Sequence, residues 1–271
     1  MHHLACVSFL NSKPLIDPLV NRADVTVHFA VPSALLPIVE SAAPPRASTG
    51  LLSLVDYQLA STDLLLVPAG MIGSDGPTFT VRLYSQVPPE KIHTVFGDTD
   101  SHTSVLLAQL ILRERFNIAA PLLPLTDSPK THPETMLLIG DKVVNAAPDP
   151  HLYPHQLDLG EQWKSLTGLP FVFAMWMMRK DHATAHPEEA LALARLLADA
   201  RRRGADLTED LLDRYAAEKR WPRDLARKYF TEYLRYQVTP EARQGLALFF
   251  HLAQKHNLLP LRRPPQYLEF E

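Results

Sequence analysis

Short apolar runs separated by polar turns fill the first two thirds of the chain. The runs lie at 4–10, 25–30, 51–55, 64–67, 79–85, 94–97, 136–139 and 171–178. Runs of this length, bounded by Pro, Gly, Asn or Ser, are typical of buried strands. Their spacing leaves room for connecting helices or loops, so the pattern predicts βαβ units, an α/β fold and mostly parallel sheets.

The pattern changes to a helical period after Pro187. Apolar positions three and four residues apart predict a helical C-terminal part, with helices at 188–203, 208–219, 223–236 and 240–256. The last segment, 260–271, contains three prolines and is predicted to be an extended surface tail.

The composition shifts near residues 86–90 and again near 174–180. Such shifts are expected where a chain leaves one domain, builds a second and returns. We therefore predict one domain from 1–85 plus 175–271 and a second domain from 86–174. Ligands of α/β folds of this kind bind in the cleft at the carboxyl ends of strands.

Composition excludes several classes of function. A net charge of -3, from 27 basic and 30 acidic residues, leaves no basic field for nucleic acid. The chain has 10 glycines against 24 prolines, and no glycine motif matches a P-loop or a dinucleotide-binding loop. The single cysteine, Cys6, excludes a disulfide framework. Two histidine pairs, His151/His155 and His182/His186, have the spacing of a zinc helix, but the first spans Pro154 and the second lies in a linker next to Pro187. We expect no metal and no nucleic-acid partner.

The sequence also predicts where the protein is located. The first residues lack the charged and apolar regions of a signal peptide, and no apolar stretch reaches the roughly 18 residues of a membrane span. The sequence therefore predicts a soluble, cytoplasmic protein with no membrane partner, and it leaves the oligomeric state open.

The polar cluster Ser101-His102-Thr103-Ser104 lies between a predicted strand and a predicted helix. Hydroxyls and free N–H groups at a helix N-terminus can bind an anion. Ordinary N-capping, which needs only one such residue, explains the cluster about as well. Because no arginine lies in this loop, a carboxylate suits it better than a polyphosphate.

Three further polar turns follow predicted strands. They are Asn11-Ser12-Lys13, Ser74-Asp75-Gly76-Pro77 and Gly140-Asp141. Each can also be explained as a turn that only closes a strand. In an open α/β sheet, however, such turns converge on one cleft, which strengthens the functional interpretation of each.

Five stretches in order resemble the menaquinone-biosynthesis chorismate dehydratases of the futalosine pathway. They are VSFLNSKPL at 7–15, SDGP at 74–77, DTDSHTS at 98–104, LIGD at 138–141, and a long stretch at 158–174 that runs from DLGEQW to LPFVFA. The resemblance covers nearly the whole chain and is weaker after residue 180.

This resemblance implies a two-domain fold like that of type II periplasmic binding proteins, with a cleft between the domains. It implies a carbon–oxygen lyase (a hydro-lyase) that removes water from its small-molecule substrate, chorismate, to give 3-(1-carboxyvinyloxy)benzoate. Because the ring becomes aromatic, the reaction has its own driving force. The enzyme must hold a reactive conformer and exclude water, and no cofactor is expected.

The resemblance also implies roles for individual residues. Asn11 matches a position that the family uses at the active site, and Thr80 falls where the family often has Ser, so both are expected to be catalytic. The residues expected to bind substrate are Ser12, Ser74, Asp75, Gly76, Ser101, His102, Thr103, Ser104, Gly140 and Asp141. Of these, Ser101, Thr103 and Ser104 are expected to hold a carboxylate.

The general base stays open at this point. Asp75 and Asp141 are the nearest matched carboxylates, and the alternative is that a carboxylate of the substrate itself takes the proton. Two features depart from the family pattern. His102 stands where Arg is common, and Ser48-Thr49-Gly50, preceded by a stretch with Pro44-Pro45, replaces a Gly-x-Leu-Asp pattern. Both bear on substrate choice.

Two other functions remain open. One is a cytoplasmic binding protein of the same fold that captures a small carboxylate without reaction. The other is the sister enzyme of the pathway, which acts on cyclic dehypoxanthinyl futalosine. The absent signal peptide argues against a transport receptor. The SFLN opening argues against the sister enzyme, whose first strand normally ends in a Ser-Pro-Asp type motif.

Overall fold

The structure is a computed structural model that describes residues 1–41, 47–129 and 132–270. The Pro44-Pro45 pair, which precedes the departure from the family pattern, lies outside the described residues. Within them the strands are β1 (His2–Val7), β2 (Val25–Ala30), β3 (Thr49–Ser53), β4 (Leu64–Ser74), β5 (Val81–Ser85), β6 (Val95–Gly97), β7 (Leu122–Pro124), β8 (Thr135–Ile139), β9 (His155–Asp158), β10 (Phe171–Arg179) and β11 (Leu234–Arg235).

The helices of the same residues complete the fold. They are α1 (Lys13–Val20), α2 (Pro32–Glu40), α3 (Asp56–Leu59), α4 (His102–Phe116), α5 (Lys142–Asn145), α6 (Leu159–Thr167), α7 (Lys180–Ala185), α8 (Pro187–Asp206), α9 (Thr208–Tyr215), α10 (Arg223–Lys228) and α11 (Pro240–Lys255). The described residues include no helix long and apolar enough to cross a bilayer.

The strands form two sheets. The first sheet has the order β11-β4-β10-β3-β1-β2, and the second has the order β7-β6-β8-β5-β9. The α/β class and the helical C-terminal part are confirmed. The expectation of mostly parallel sheets is wrong, because each sheet is mixed. In the first, β1 is parallel to β2 and β3, whereas β10 is antiparallel to β3 and β4.

The second sheet shows the same mixture, with β6 parallel to β7 and β8, and β5 antiparallel to β8 and β9. The sequence pattern could not predict the strand directions, for a physical reason. A strand buried on both faces is an apolar run whichever way it points. β10 carries the chain back from the second sheet and inserts between β3 and β4 of the first. Its direction is set by that return, which the local pattern does not contain.

β10 also shows where the core sits. Successive side chains of a strand point to opposite faces. Met175 and Met177 pack in one apolar cluster, with residues of α2, α4 and α11, whereas Trp176 and Met178 pack in the other, with residues of α1 and α8. All four side chains are fully buried. The first sheet is therefore covered on both faces, which explains the unbroken apolar sequence of β10.

The chain passes from the first sheet to the second within residues 75–80 and returns to the first within residues 159–170. Val81–Ser85 belongs to the second sheet, although the predicted boundary put it with the first domain, and Phe171–Arg179 belongs to the first. The domain division at 85/86 and 174/175 itself stays a prediction.

The predicted helix at 223–236 is wrong at its C-terminal end. The α-helix ends at Lys228, a π-helical turn follows at Tyr229–Tyr233, and β11 then joins the edge of β4. Tyr229, Phe230 and Leu234 are buried here, so tertiary packing overrides the local helical pattern. The C-terminal tail is extended but not free on the surface, because Leu66 of β4 hydrogen bonds to Gln266 and Leu268.

Candidate active site

A cavity lies where the two sheets meet. Strands of the first sheet contribute Leu51, Ile72 and Phe173 to its wall, and strands of the second contribute Val81 and Ile139. The remaining lining residues are Val7, Phe9, Asn11, Pro32, Ser53, Thr78, Thr80, Ser101, Ser104, Gly140, Ala174, Tyr229 and Leu234. An apolar wall with a few polar groups is typical of a small-molecule site.

Asn11 reaches the cavity from a short 3₁₀ turn, Leu10–Ser12, that follows β1. The turn is fixed by the Ser12 hydroxyl, which donates to the carbonyls of Val7 (2.8 Å) and Phe9 (3.0 Å). The Oδ1 atom of Asn11 is buried and has no hydrogen-bond partner. A buried acceptor without a partner costs roughly 1–3 kcal/mol, so this atom is positioned to accept a bond from a ligand.

Thr80 lies on the connection between β4 and β5, and its side chain is buried. Its Oγ1 is 2.6 Å from the hydroxyl of Tyr229. The preceding residue, Phe79, has φ of 68°, a left-handed conformation that bulky residues rarely adopt. Asp158 holds this turn, because its carboxylate accepts from the N–H groups of Thr78 (2.9 Å) and Phe79 (2.7 Å). Such held strain is common at functional sites.

Ser101 and Ser104 contribute two hydroxyls at the N-terminus of α4; we call them the serine pair. Ser101 is the N-cap, its Oγ accepts from the Ser104 N–H at 3.3 Å, and the two Oγ atoms are 3.0 Å apart. The helix has 15 residues, so its partial positive charge acts at this end. Capping and anion binding are therefore compatible here, since both hydroxyls also line the cavity.

His102 and Thr103 lie beside the serine pair but are not among the cavity-lining residues. They attach α4 to the first sheet's side of the molecule. The Nδ1 atom of His102 is 2.6 Å from Oδ1 of the fully buried Asp56, and the N–H of Val55 donates to the Thr103 hydroxyl at 3.1 Å. Burial raises the pKa of Asp56, and the hydrogen bond to Asp56 raises the pKa of His102.

Gly140 follows β8 and lines the cavity next to the ring of Phe9. Its φ is 60°, and a Cβ atom there would lie 3.4 Å from the Phe9 ring. Its N–H donates to the Thr80 carbonyl at 2.8 Å, which ties the β8 turn to the Thr80 turn. A residue without a side chain suits both the left-handed backbone and the contact with Phe9.

The structure thus brings together Asn11, Thr80, Ser101, Ser104 and Gly140 of the predicted site. The other predicted residues are not on the cavity wall. The Ser12 hydroxyl donates to a backbone carbonyl, Ser74 is buried against Gly160, and Gly76 has a positive φ in a turn. Asp75 pairs with Lys164 at 2.6 Å on the surface. Their direct contact with substrate stays a prediction.

Asp141, next to Gly140, is also not among the cavity-lining residues. Its Oδ1 accepts from the Trp221 Nε1 at 3.0 Å, and burial raises the pKa of Asp141. Among the described residues, no charged side chain lines the cavity. Nor do those residues hold a cluster of three or more His, Cys, Asp or Glu side chains arranged for a metal ion.

Sequence reasoning missed Tyr229, Ser53 and Thr78, three polar residues that line the cavity. Tyr229 fell inside a predicted helix, and Ser53 inside a predicted strand. No local signal marks them, because they meet the site only through the tertiary arrangement of distant segments.

Comparisons with known proteins agree on family and fold. Residues 2–255 match the model of a family described as menaquinone biosynthesis. A curated relative, the chorismate dehydratase of Thermus thermophilus, is 28% identical over 245 residues, which covers 82% of this chain and 84% of the relative.

Three solved structures share the fold. A protein of Archaeoglobus fulgidus aligns with a TM-score of 0.70 at 14% identity, covering 95% of this chain and 98% of its own. A Candida albicans protein, described as having the generic periplasmic binding protein fold, aligns at 0.61 and 9%, covering 99% and 98%. The aliphatic sulphonate binding protein SsuA of Escherichia coli aligns at 0.59 and 15%, covering 96% and 93%. The predicted periplasmic-binding-protein-like fold is confirmed.

Proposed function

The chain belongs to the menaquinone-biosynthesis family, and from this premise we propose that it is a chorismate dehydratase, a hydro-lyase. The resemblance found in the sequence motifs is confirmed by the family match. The curated relative of the same name supports the substrate. The cytoplasmic location expected from the sequence belongs to the same proposal.

The proposed reaction removes a ring hydrogen and the ring hydroxyl of chorismate as water. One C–H bond and one C–O bond break, and the remaining electrons complete an aromatic ring. No electrons are gained or lost overall. The protein's task is therefore to hold a reactive conformer, exclude water and assist the departure of the proton and the hydroxide.

The observation that carries the proposal is a cavity between the sheets whose polar groups are all neutral, among the described residues, and come in two sets. The serine pair at the α4 N-terminus would bind one of the two substrate carboxylates. Asn11 and Thr80, which we call the Asn11–Thr80 group, would contact the reacting part of the ring. The orphaned Oδ1 of Asn11 is an acceptor for a substrate hydrogen-bond donor.

The proton acceptor in this proposal is a carboxylate of the substrate. Neither Asp75 nor Asp141 lines the cavity, and each already has a partner, Lys164 and Trp221 respectively. Substrate binding would bring a carboxylate into a site where no described side chain supplies one.

Replacement of the two carboxylates tests this step. Asp75→Asn and Asp141→Asn are expected to keep chorismate turnover within about threefold of the unchanged protein, since neither would be the base. Turnover and product affinity are measured for both. A dead Asp75→Asn or Asp141→Asn protein that still binds product would contradict the substrate-base hypothesis.

The proposed function is tested by incubating the purified protein with chorismate, without added metal or nucleotide. Chorismate loss and formation of 3-(1-carboxyvinyloxy)benzoate are followed together by chromatography and mass spectrometry. Equal loss and formation supports the dehydratase. Binding without turnover would identify a carboxylate-binding protein instead, and turnover of cyclic dehypoxanthinyl futalosine alone would identify the sister enzyme.

A further inference from the structure

Tyr229 occupies an unusual place in the cavity wall. Its side chain is only 1% exposed, yet it lines the cavity beside Asn11 and Thr80. Its hydroxyl is 2.6 Å from Thr80 Oγ1, a distance that only a hydrogen bond between two oxygens explains. Asn11 lines the same cavity. One buried hydroxyl therefore bonds to Thr80 and lies in the same cavity wall as Asn11.

Neighbouring residues fix the position of the Tyr229 ring. The Tyr229 ring stacks on Trp221 with 4.8 Å between centroids and 23° between planes. Trp221 is itself fixed by the bond from its Nε1 to Asp141. The backbone at Tyr229–Tyr233 forms a π-helical turn rather than continuing α10. Irregular turns of this kind are rare and frequently mark functional sites.

The direction of the hydrogen bonds follows from the groups present. Burial raises the pKa of Tyr229, so the phenol stays protonated. Oδ1 of Asn11 has no hydrogen-bond partner, so it does not accept a bond from the phenol. The phenol, a stronger donor than an alcohol, then donates to Thr80 Oγ1. The Thr80 O–H is left free to donate into the cavity, and aligned bonds of this kind strengthen one another.

We propose that Tyr229 is a positioning residue for the dehydration. Its hydroxyl makes Thr80 a donor toward the leaving ring hydroxyl, while the unpartnered Oδ1 of Asn11 remains an acceptor for the substrate. This inference rests on the proposed function. When the C–O bond breaks, its electron pair goes to the oxygen, which the Thr80 O–H stabilises. The oxygen leaves as water once it receives the proton that the substrate carboxylate took from the ring carbon.

The test is a double-mutant cycle of Tyr229→Phe and Thr80→Val in the full-length protein. Tyr229→Phe keeps the ring and its stacking on Trp221, and Thr80→Val keeps the side-chain shape. We expect Tyr229→Phe to lower kcat for chorismate about tenfold, the kinetic equivalent of one neutral hydrogen bond, with KM within about threefold. Because Tyr229 acts through Thr80, the double variant is expected to be no slower than Thr80→Val alone.

A binding measurement separates positioning from a merely structural role. The reaction product has lost the ring hydroxyl, so Tyr229→Phe is expected to leave product affinity unchanged by calorimetry. Tyr153→Phe is the matched control. Tyr153 is fully buried and donates to the Pro133 carbonyl at 2.7 Å, but it is not on the cavity wall. It is expected to lose stability without a change in kcat. If Tyr229→Phe does not fold, 3-fluorotyrosine at 229, which keeps the donor, is expected to retain kcat within about threefold.

The outcomes distinguish this inference from the proposed function. If the protein without substitutions does not convert chorismate, the proposed function is contradicted. If that protein is active, three results overturn the role of Tyr229: an unchanged kcat in Tyr229→Phe, a parallel loss of kcat and product affinity, or effects of the two substitutions that multiply in the double variant.

Discussion

The two sets of polar groups in the cavity are built in different ways. The serine pair comes from four consecutive residues at one helix N-terminus, and its hydroxyls hydrogen bond to each other. The Asn11–Thr80 group is assembled from distant parts of the chain, and Tyr229 bonds to its Thr80 member. It contains a buried acceptor without a partner and follows a residue in a strained conformation, Phe79.

This difference indicates that the serine pair serves substrate binding, whereas the Asn11–Thr80 group serves the chemical step. A helix N-terminus favours an anion equally in the substrate and in the transition state, so it lowers KM more than it raises kcat. Orphaned and strained polar groups are tolerated where the bonds they make in the reaction offset their cost in the resting protein. The comparison therefore predicts that substitutions in the Asn11–Thr80 group reduce kcat, whereas substitutions in the serine pair raise KM.

The largest effect is expected from Asn11→Ala. Among the described residues, Asn11 is the one cavity-lining side chain with an orphaned acceptor, and its loss is expected to lower kcat about a hundredfold or more. Stability is expected to change by less than about 1 kcal/mol, because this half-buried polar side chain contributes little core packing. Steady-state kinetics and thermal unfolding measure the two quantities.

Asn145→Ala is the control for Asn11→Ala. The Asn145 side chain donates to the Lys219 backbone carbonyl at 3.0 Å and lies off the cavity wall. Its kcat is expected to match the unchanged protein. If Asn11→Ala instead loses stability and keeps its kcat, Asn11 has a structural role and does not serve the reaction.

The next effect is expected from Ser101→Ala combined with Ser104→Ala. Removing both hydroxyls is expected to raise KM for chorismate about tenfold while kcat changes less than threefold. Loss of the N-cap is expected to cost about 1 kcal/mol of unfolding free energy. Thr239→Ala is a matched control, since Thr239 caps α11 by accepting from the Ala242 N–H at 3.2 Å. That variant should show the same loss of stability with an unchanged KM, and a KM that rises in both proteins would refute a role of the serine pair in binding.

A smaller effect concerns the attachment of α4 to Asp56. The hydrogen bond to Asp56 raises the pKa of His102, so the charged pair is complete below the ordinary histidine pKa and is lost as pH rises through the raised value. Glu40 is the other charged group that acts on Asp56. We expect KM for chorismate to rise a few-fold at alkaline pH, because the serine pair is then held less firmly.

Replacing His102 sharpens this point. His102→Arg, which restores the residue common in the family, carries a fixed charge and is expected to remove the alkaline rise in KM. His102→Gln is expected to show the raised KM at every pH. An alkaline rise that persists in His102→Arg would mean that another group titrates.

The smallest effect is expected at the glycines with left-handed backbone. Gly140→Ala and Gly168→Ala both place a side chain at positive φ, with φ of 60° and 72°, and each is expected to cost about 1–2 kcal/mol of stability. Only Gly140 faces the cavity, where the new methyl group would press on Phe9. Gly140→Ala should therefore also change KM by a few-fold, whereas equal kinetics in the two variants would remove Gly140 from the site.

The same contrast explains how far the sequence could lead. Ser101 to Ser104 are adjacent, so a local pattern located them, and Asn11 follows the first predicted strand directly. Tyr229 could not be located, because a π-helical turn and a distant strand connection bring it to Thr80. The α/β class followed from the apolar runs. The antiparallel entry of β10 did not, because its direction depends on the chain's return between the sheets.

The predicted substrate residues show the same limit. Asp75, Ser74 and Gly76 match a family motif, yet the structure gives them an ion pair, a buried contact and a tight turn away from the cavity wall. Motif membership identified the segment that positions Thr80, but it could not separate the residues that support the site from those that line it.

One measurement tests the account most directly: formation of 3-(1-carboxyvinyloxy)benzoate at saturating chorismate by the unchanged protein, by Asn11→Ala and by the double serine variant. We predict that the unchanged protein and the serine variant form product at rates within about threefold of each other. Asn11→Ala is predicted to bind the product and form almost none from chorismate. No product from the unchanged protein, or full turnover by Asn11→Ala, would contradict the account.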